Sequence, residues 1–178
     1  MRYLEVRRHT MRVKPGQHLS QEGVTLARRV GEGMGPFARV VTSTVPRAFE
    51  TAIAMGFAVD EQIEALATLS DEVDREMPWP AGFADYARAV AQGKHSAHFS
   101  RKQAALWREL AQRIPVGAAA LVISHGGIVE LGAVGCMPEA DHTAWGPYCD
   151  FCEGVRLGFE GDRFVSIEIL RVASHEAR

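Results

Sequence analysis

Cysteine is scarce in this 178-residue chain: there are three, Cys136, Cys149 and Cys152, an odd number placed late. The single Cys149-x-x-Cys152 pair has no second pair to complete a zinc tetrahedron, so all three read as ordinary reduced thiols. His95-x-x-His98 could share a helical face, but no neighbouring carboxylate or cysteine completes a ligand set. No metal and no cofactor is expected. No apolar run reaches the roughly 20 residues of a membrane-spanning helix. The segment Met1 to Thr10 is charged and lacks the apolar centre of a signal peptide. Net charge is −2 with no block of lysine or arginine, which removes the electrostatic footprint of non-specific nucleic-acid binding. Repeats, linkers and low-complexity segments are missing as well. The expectation is a soluble cytoplasmic protein without membrane or nucleic-acid partners, its oligomeric state unspecified.

What is present suits a globular domain. Hydrophobic residues make up 47% and charged residues 24%, both near the average of folded proteins. The length is enough for one domain with a sizeable core, expected to span residues 1–178. Strand and helix signals alternate. Tyr3 to Arg8 reads as a first strand. Ser20 is a plausible N-cap for a helix whose buried face carries Val24, Ala27 and Val30, and which Gly31, Gly33 and Gly35 end. Ala38 to Ser43 is a second strand, rich in β-branched residues. Pro46 opens the next helix, with Ala48, Ala52 and Met55 inward and Gly56 at its end.

Acidic residues crowd Asp71 to Glu76, and Pro78-Trp79-Pro80 breaks any helix there, so most of this stretch reads as a solvated loop. Phe83 to Gln92 is a short helix. Ser100 with Gln103 suggests a capping box for a helix through Arg113, with Leu106, Trp107 and Leu110 packed inward. Ala118 to Ser124 is apolar enough for a central strand, followed by a helix from Ile128 to Val134. Val155 to Phe159 and Phe164 to Leu170, joined by Glu160-Gly161-Asp162, read as an edge hairpin. The pattern implies an α/β fold: a three-layer α/β/α sandwich with a mostly parallel central sheet.

Ligands gather at the C-terminal ends of strands in such sheets. Three polar groups fall there: Arg8-His9-Thr10, Ser43 to Arg47, and Ser124-His125-Gly126-Gly127. If the three strands are parallel neighbours, two arginines and two histidines converge. Guanidinium forks match phosphate oxygens, and Arg47 in a first helical turn adds to positive potential there. Singly, each group has a plainer reading. Arg8 could be a surface charge beside Arg2 and Arg7; Arg47 could pair with Glu50 or Glu22. His9 could be structural, and Gly126-Gly127 only a turn.

Taken in order, four segments resemble the histidine phosphatase superfamily, which includes the cofactor-dependent phosphoglycerate mutases. They are Arg8-His9-Thr10, Leu19-Ser20-Gln21-Glu22-Gly23, Ser43 through Arg47 to Thr51-Ala52, and Ser124-His125-Gly126-Gly127. The resemblance implies a phosphoglycerate mutase-like fold. It implies His9 as a nucleophile that becomes phosphorylated, with Arg8, Arg47 and His125 binding phosphoryl oxygens. A carboxylic acid would protonate the leaving group. Family spacing favours Glu72, 25 residues beyond Arg47 (72 − 47 = 25), with Glu76, Asp71 and Asp74 as other candidates.

The stretch Met11 to His18 lacks the asparagine and threonine carried by the mutases and many of their relatives. Met77-Pro78-Trp79-Pro80 is only a distant echo of the Gly-x-Trp-Glu-Gly element common in the family. Both departures favour a metal-independent phosphatase acting on a small phosphate ester or a phosphorylated protein. Two other readings stay open: a pseudo-phosphatase that binds phosphorylated ligands without turning them over, and a mutase-type phosphotransferase. Lys14 and His18 are candidate substrate contacts or surface charges. Trp79, Tyr86, Trp107 and Trp145 read as core or pocket-wall residues rather than a nucleic-acid stacking platform.

Overall fold

The computed structural model describes residues 1–173. Its six-stranded sheet runs in the order β3-β2-β4-β1-β5-β6. The strands are β1 (Arg2–Arg8), β2 (Arg39–Thr42), β3 (Glu61–Gln62), β4 (Ala119–Ser124), β5 (Gly154–Glu160) and β6 (Arg163–Leu170). β1 pairs in parallel with β4, β4 with β2, and β2 with β3. β5 runs antiparallel to β1 and forms the expected edge hairpin with β6. Every residue of β4 is buried, as befits the strand flanked by β2 and β1.

Strand alternation sends side chains to two helical layers. Leu4, Val6, Ala120 and Val122 join one core with α4 (Phe83–Ala91), α5 (His95–Gln112) and α6 (Ile128–Cys136). Val40, Leu121 and Ile123 join the other with α1 (Gln21–Gly31) and α2 (Pro46–Ala54). The polar half of β1 is buried rather than solvated. Glu5 accepts from Arg7 Nε at 2.6 Å and from Arg156 Nη1 at 3.1 Å, and Arg7 Nη1 donates to the Cys152 carbonyl at 2.7 Å.

Three local expectations change. In α1, Leu26 joins Ala27 on the buried face, while Val24 and Val30 are only half-buried. Ser20 is the N-cap, accepting from the Gly23 N–H at 3.0 Å. The helix expected from Ser100 starts five residues earlier, at His95. Ser100 therefore lies inside α5, and its hydroxyl donates to the Leu131 carbonyl at 2.6 Å. The helix start is satisfied by Glu76, whose carboxylate accepts from His95 N and Ser96 N at 3.1 and 2.8 Å. Asp71 to Glu76 is itself a short helix, α3, capped by Ser70 and anchored by the buried Val73. Local capping and one apolar anchor offset the charge that suggested a loop.

Glycine lets α5 and α6 approach closely. A Cβ at Gly132 would lie 2.3 Å from the Trp107 indole, and one at Gly135 would lie 2.4 Å from the Ser100 carbonyl oxygen. This packing supports α6 as it leaves the end of β4.

Candidate active site

The sheet order places β1, β4 and β2 side by side and parallel, so their C-terminal ends share one edge. Ladder bonds continue past the strands and fix the residues that follow. The His9 N–H donates to the Ser124 carbonyl at 2.9 Å, and the Ser43 N–H to the Ile123 carbonyl at 3.0 Å. His9, His125 and the start of α2 are thereby held at one point. The His9 and His125 rings lie 5.1 Å apart, centroid to centroid.

His9 is buried and oriented from both sides. Nδ1 sits 2.6 Å from the Thr10 carbonyl, the geometry of an Nδ1–H donating to it. Nε2 faces Arg47, whose Nε–H donates to it at 3.0 Å. Burial pushes the imidazole pKa down from 6.5 to about 3; the Thr10 carbonyl opposes this, while His125, Arg47 and Arg8 add to it. The ring is neutral at pH 7, with its lone pair on Nε2.

His125 stands beside it. Its Nε2 is 2.7 Å from Ser43 Oγ, which accepts the Val45 N–H at 3.3 Å. With the Ser43 hydroxyl donating to Nε2, Nδ1 carries the ring proton. That nitrogen is buried and has no protein partner among the described residues. Burial, then the charges of Arg47 and Arg8, lower the His125 pKa to about 3.

Arg8 is aimed across the site. Nη1 donates to the Cys149 carbonyl at 3.1 Å, and the guanidinium lies 4.5 Å above the Phe151 ring. A Cβ at Gly126 would fall 3.3 to 3.5 Å from three atoms of this side chain, so Gly126 permits the close approach. Arg47 sits in the first turn of α2 and also bonds Gln17, not Glu50 or Glu22. Its pKa is lowered by burial and by the charges of Arg12 and Arg8. Like charges crowded in this way concentrate positive potential at the cleft.

Glu130 is a residue that sequence reasoning missed. It is fully buried in the first turn of α6 yet borders the cleft. One oxygen accepts the Gly127 N–H at 2.6 Å and the other the Cys149 N–H at 2.8 Å. It thus ties the turn after His125 to the loop that orients Arg8. Burial pushes its pKa up, against the three backbone hydrogen bonds and Arg8. The sequence signal was available: a glutamate three residues after a glycine at the mouth of an apolar helix is a capping pattern. Gly127 has φ +86°, and a Cβ there would meet Leu69 at 2.8 Å and Trp79 at 3.1 Å.

The expected proton donor is not brought into this arrangement. Glu72 lies exposed on α3; the charges acting on it are those of His95 and Arg75, not the cleft arginines. Glu76 caps α5, and Asp74 accepts the Trp79 Nε1–H at 3.1 Å. Asp71 is exposed on the same helix. The carboxylates that do line the cleft are Glu22, Glu130 and Asp150, the last 3.8 Å from Arg8 Nη1. Lys14 lines it too, whereas His18 points to Glu50 at 2.5 Å. The cleft encloses about 1010 Å³.

Among the described residues, no group of three or more His, Cys, Asp or Glu side chains is placed to hold a metal ion. The three cysteines are free and buried. No helix of the described residues is long and apolar enough to cross a membrane.

The family model described as histidine phosphatase superfamily (branch 1) matches residues 5–170. Comparison with curated protein sequences gives no match. Among solved structures, phosphoserine phosphatase from Entamoeba histolytica, in complex with 3-phosphoglyceric acid, superposes with a TM-score of 0.72. It shares 16% identity over 99% of this chain and 100% of that one. The mycobacterial glucosyl-3-phosphoglycerate phosphatase in complex with VO3 gives 0.65 at 18% identity, over 97% and 100% of the two chains. Phosphoglycerate mutase from Bacillus anthracis gives 0.65 at 16% identity, over 94% and 92%. At these identities the likeness is one of fold.

Proposed function

Because the chain belongs to the histidine phosphatase superfamily, branch 1, we propose that it hydrolyses phosphate monoesters through a phosphohistidine formed on Nε2 of His9. The observation that carries this reading is the pair of contacts on one ring: Thr10 fixes the Nδ1 proton, and Arg47 meets the opposite nitrogen. A neutral imidazole held this way is a nucleophile already beside a phosphate-matching cation.

In the first half-reaction, Arg47 gives up its hydrogen bond to Nε2 for a phosphoryl oxygen, and the freed Nε2 lone pair forms a bond to phosphorus as the ester P–O bond breaks. The leaving oxygen takes the bonding pair and a proton. In the second, the carboxylate that protonated the leaving oxygen takes a proton from water as the water oxygen attacks phosphorus, the P–N bond breaks and its pair returns to Nε2, and inorganic phosphate departs. Arg8, Arg47 and the Nδ1–H of His125 are the donors for the three phosphoryl oxygens, and phosphoryl transfer is chiefly positioning plus such charge stabilisation. Side-chain cations supply the positive charge, which supports chemistry without a metal. Glu22 and Asp150, the exposed carboxylates that line the cleft, are our candidates for serving the leaving oxygen.

Of the three superposed relatives, two are phosphatases and one a mutase. Hydrolysis is the better reading here because Met11 to His18 offers neither of the polar residues that mutases carry at that place. The substrate is a small phosphate ester or a phosphorylated protein. The test is hydrolysis of p-nitrophenyl phosphate in the presence of chelator. Wild type turns the ester over and His9→Ala loses at least about a thousandfold in kcat. Full activity in His9→Ala removes the nucleophile; an inert wild type that still binds phosphate favours a binding protein.

A further inference from the structure

The phosphate-binding edge is flanked by aromatic rings that the hydrolytic chemistry does not use. Trp79 borders the cleft with 47% of its surface exposed, yet its ring is fixed. Its indole N–H is held by Asp74 at 3.1 Å, and its ring meets the buried Tyr86 edge to face at 5.8 Å. The benzo edge of the indole lies over Gly127, where a Cβ would stand 3.1 and 3.4 Å from two of its carbons. The ring therefore packs directly on the turn that follows His125.

A second wall comes from the loop before β5. Phe151 lies 6.1 Å from the His9 ring and carries the Arg8 guanidinium on its face. Tyr148 stands on the same loop, 38% exposed, with its carbonyl held by Arg171 Nη1 at 2.8 Å. Two unrelated segments thus bring partly solvated rings to the same cleft. Its volume of about 1010 Å³ far exceeds what a phosphoryl group needs.

We propose that this cleft takes aryl phosphates: monoesters whose leaving group is a planar aromatic ring that packs against Trp79 and Tyr148 of the cleft lining, with the phosphate on Arg8 and Arg47. The proposal rests on the phosphatase reading and names its substrate class. Rings already fixed lose little freedom when a flat leaving group stacks on them. The chemistry agrees. A phenol, with a pKa of about 10, leaves with far less proton assistance than an aliphatic alcohol.

The test uses non-hydrolysable probes, so that binding is read apart from turnover. Benzylphosphonate and methylphosphonate are titrated calorimetrically into the wild-type protein and into Trp79→Ala and Tyr148→Ala, each checked for folding by circular dichroism. Wild type binds benzylphosphonate about tenfold more tightly than methylphosphonate, a preference the size of one stacked ring. In Trp79→Ala, and in Tyr148→Ala on the loop before β5, the preference falls below about threefold. Equal affinities in wild type overturn the aryl proposal and leave the phosphate site standing. A preference that survives in both variants also overturns it. Failure of both probes to bind removes the phosphate site and the proposal together.

Discussion

The Arg47 Nε–H reaches Nε2 of His9 at 3.0 Å, the nitrogen that the Thr10 carbonyl leaves free. A guanidinium can only donate, so Nε2 must accept and the proton must sit on Nδ1. Nitrogen-detected NMR of the His9 ring will show the neutral Nδ1–H form from pH 5 to 8, without a titration step. A midpoint near 6.5, or an Nε2–H tautomer, contradicts this orientation.

Stability follows from the same burial. The folded pKa values of His9 and His125 lie near 3, against 6.5 for a free imidazole. Between those limits the unfolded chain binds more protons than the folded one. Stability is therefore full above pH 6.5 and is lost as pH falls towards 3, by about 1.4 kcal/mol per proton per pH unit. Urea midpoints will drop from pH 7.5 to pH 5, and His125→Gln will flatten the dependence. An unchanged midpoint across that range counts against two buried neutral rings.

Glu130 links the His125 turn to the Arg8 loop through two backbone N–H groups. Glu130→Gln turns one acceptor into a donor facing a donor, at about 1–3 kcal/mol of stability. Because the loop that orients Arg8 loosens, inhibition by inorganic phosphate will weaken about tenfold while kcat falls less. A loss of stability with unchanged phosphate inhibition reduces Glu130 to a helix cap.

The carboxylates separate by place. Glu72→Gln, on the exposed face of α3, will leave hydrolysis of an aliphatic phosphate within about twofold. Removing both Glu22 and Asp150 will lower it by about a hundredfold or more, the range of a lost general acid. A hundredfold loss in Glu72→Gln restores that residue as the donor.

These outcomes mark where the sequence was legible. Strands β2 and β4 are legible as aliphatic, β-branched runs and β1 as an apolar-polar alternation, and their parallel order brings His9, His125 and Arg47 together as expected. Ser100 misled because a serine and a glutamine three residues apart satisfy a cap pattern locally. Only the packing of α5 on α6 shows that its hydroxyl serves Leu131 instead. Spacing along the chain favours Glu72, but spacing carries no information about which way a short helix turns its side chains. The Gly127 to Glu130 spacing shows a cap in the sequence, but the second contact, to the Cys149 N–H, joins a distant segment that only the fold brings near.

The most direct test is to mix the protein with an aryl phosphate, quench in alkali within milliseconds, and map phosphate by mass spectrometry. The account predicts an acid-labile phosphate on His9 that disappears as inorganic phosphate forms. Turnover with no phosphate on His9, or with phosphate on another residue, would contradict it.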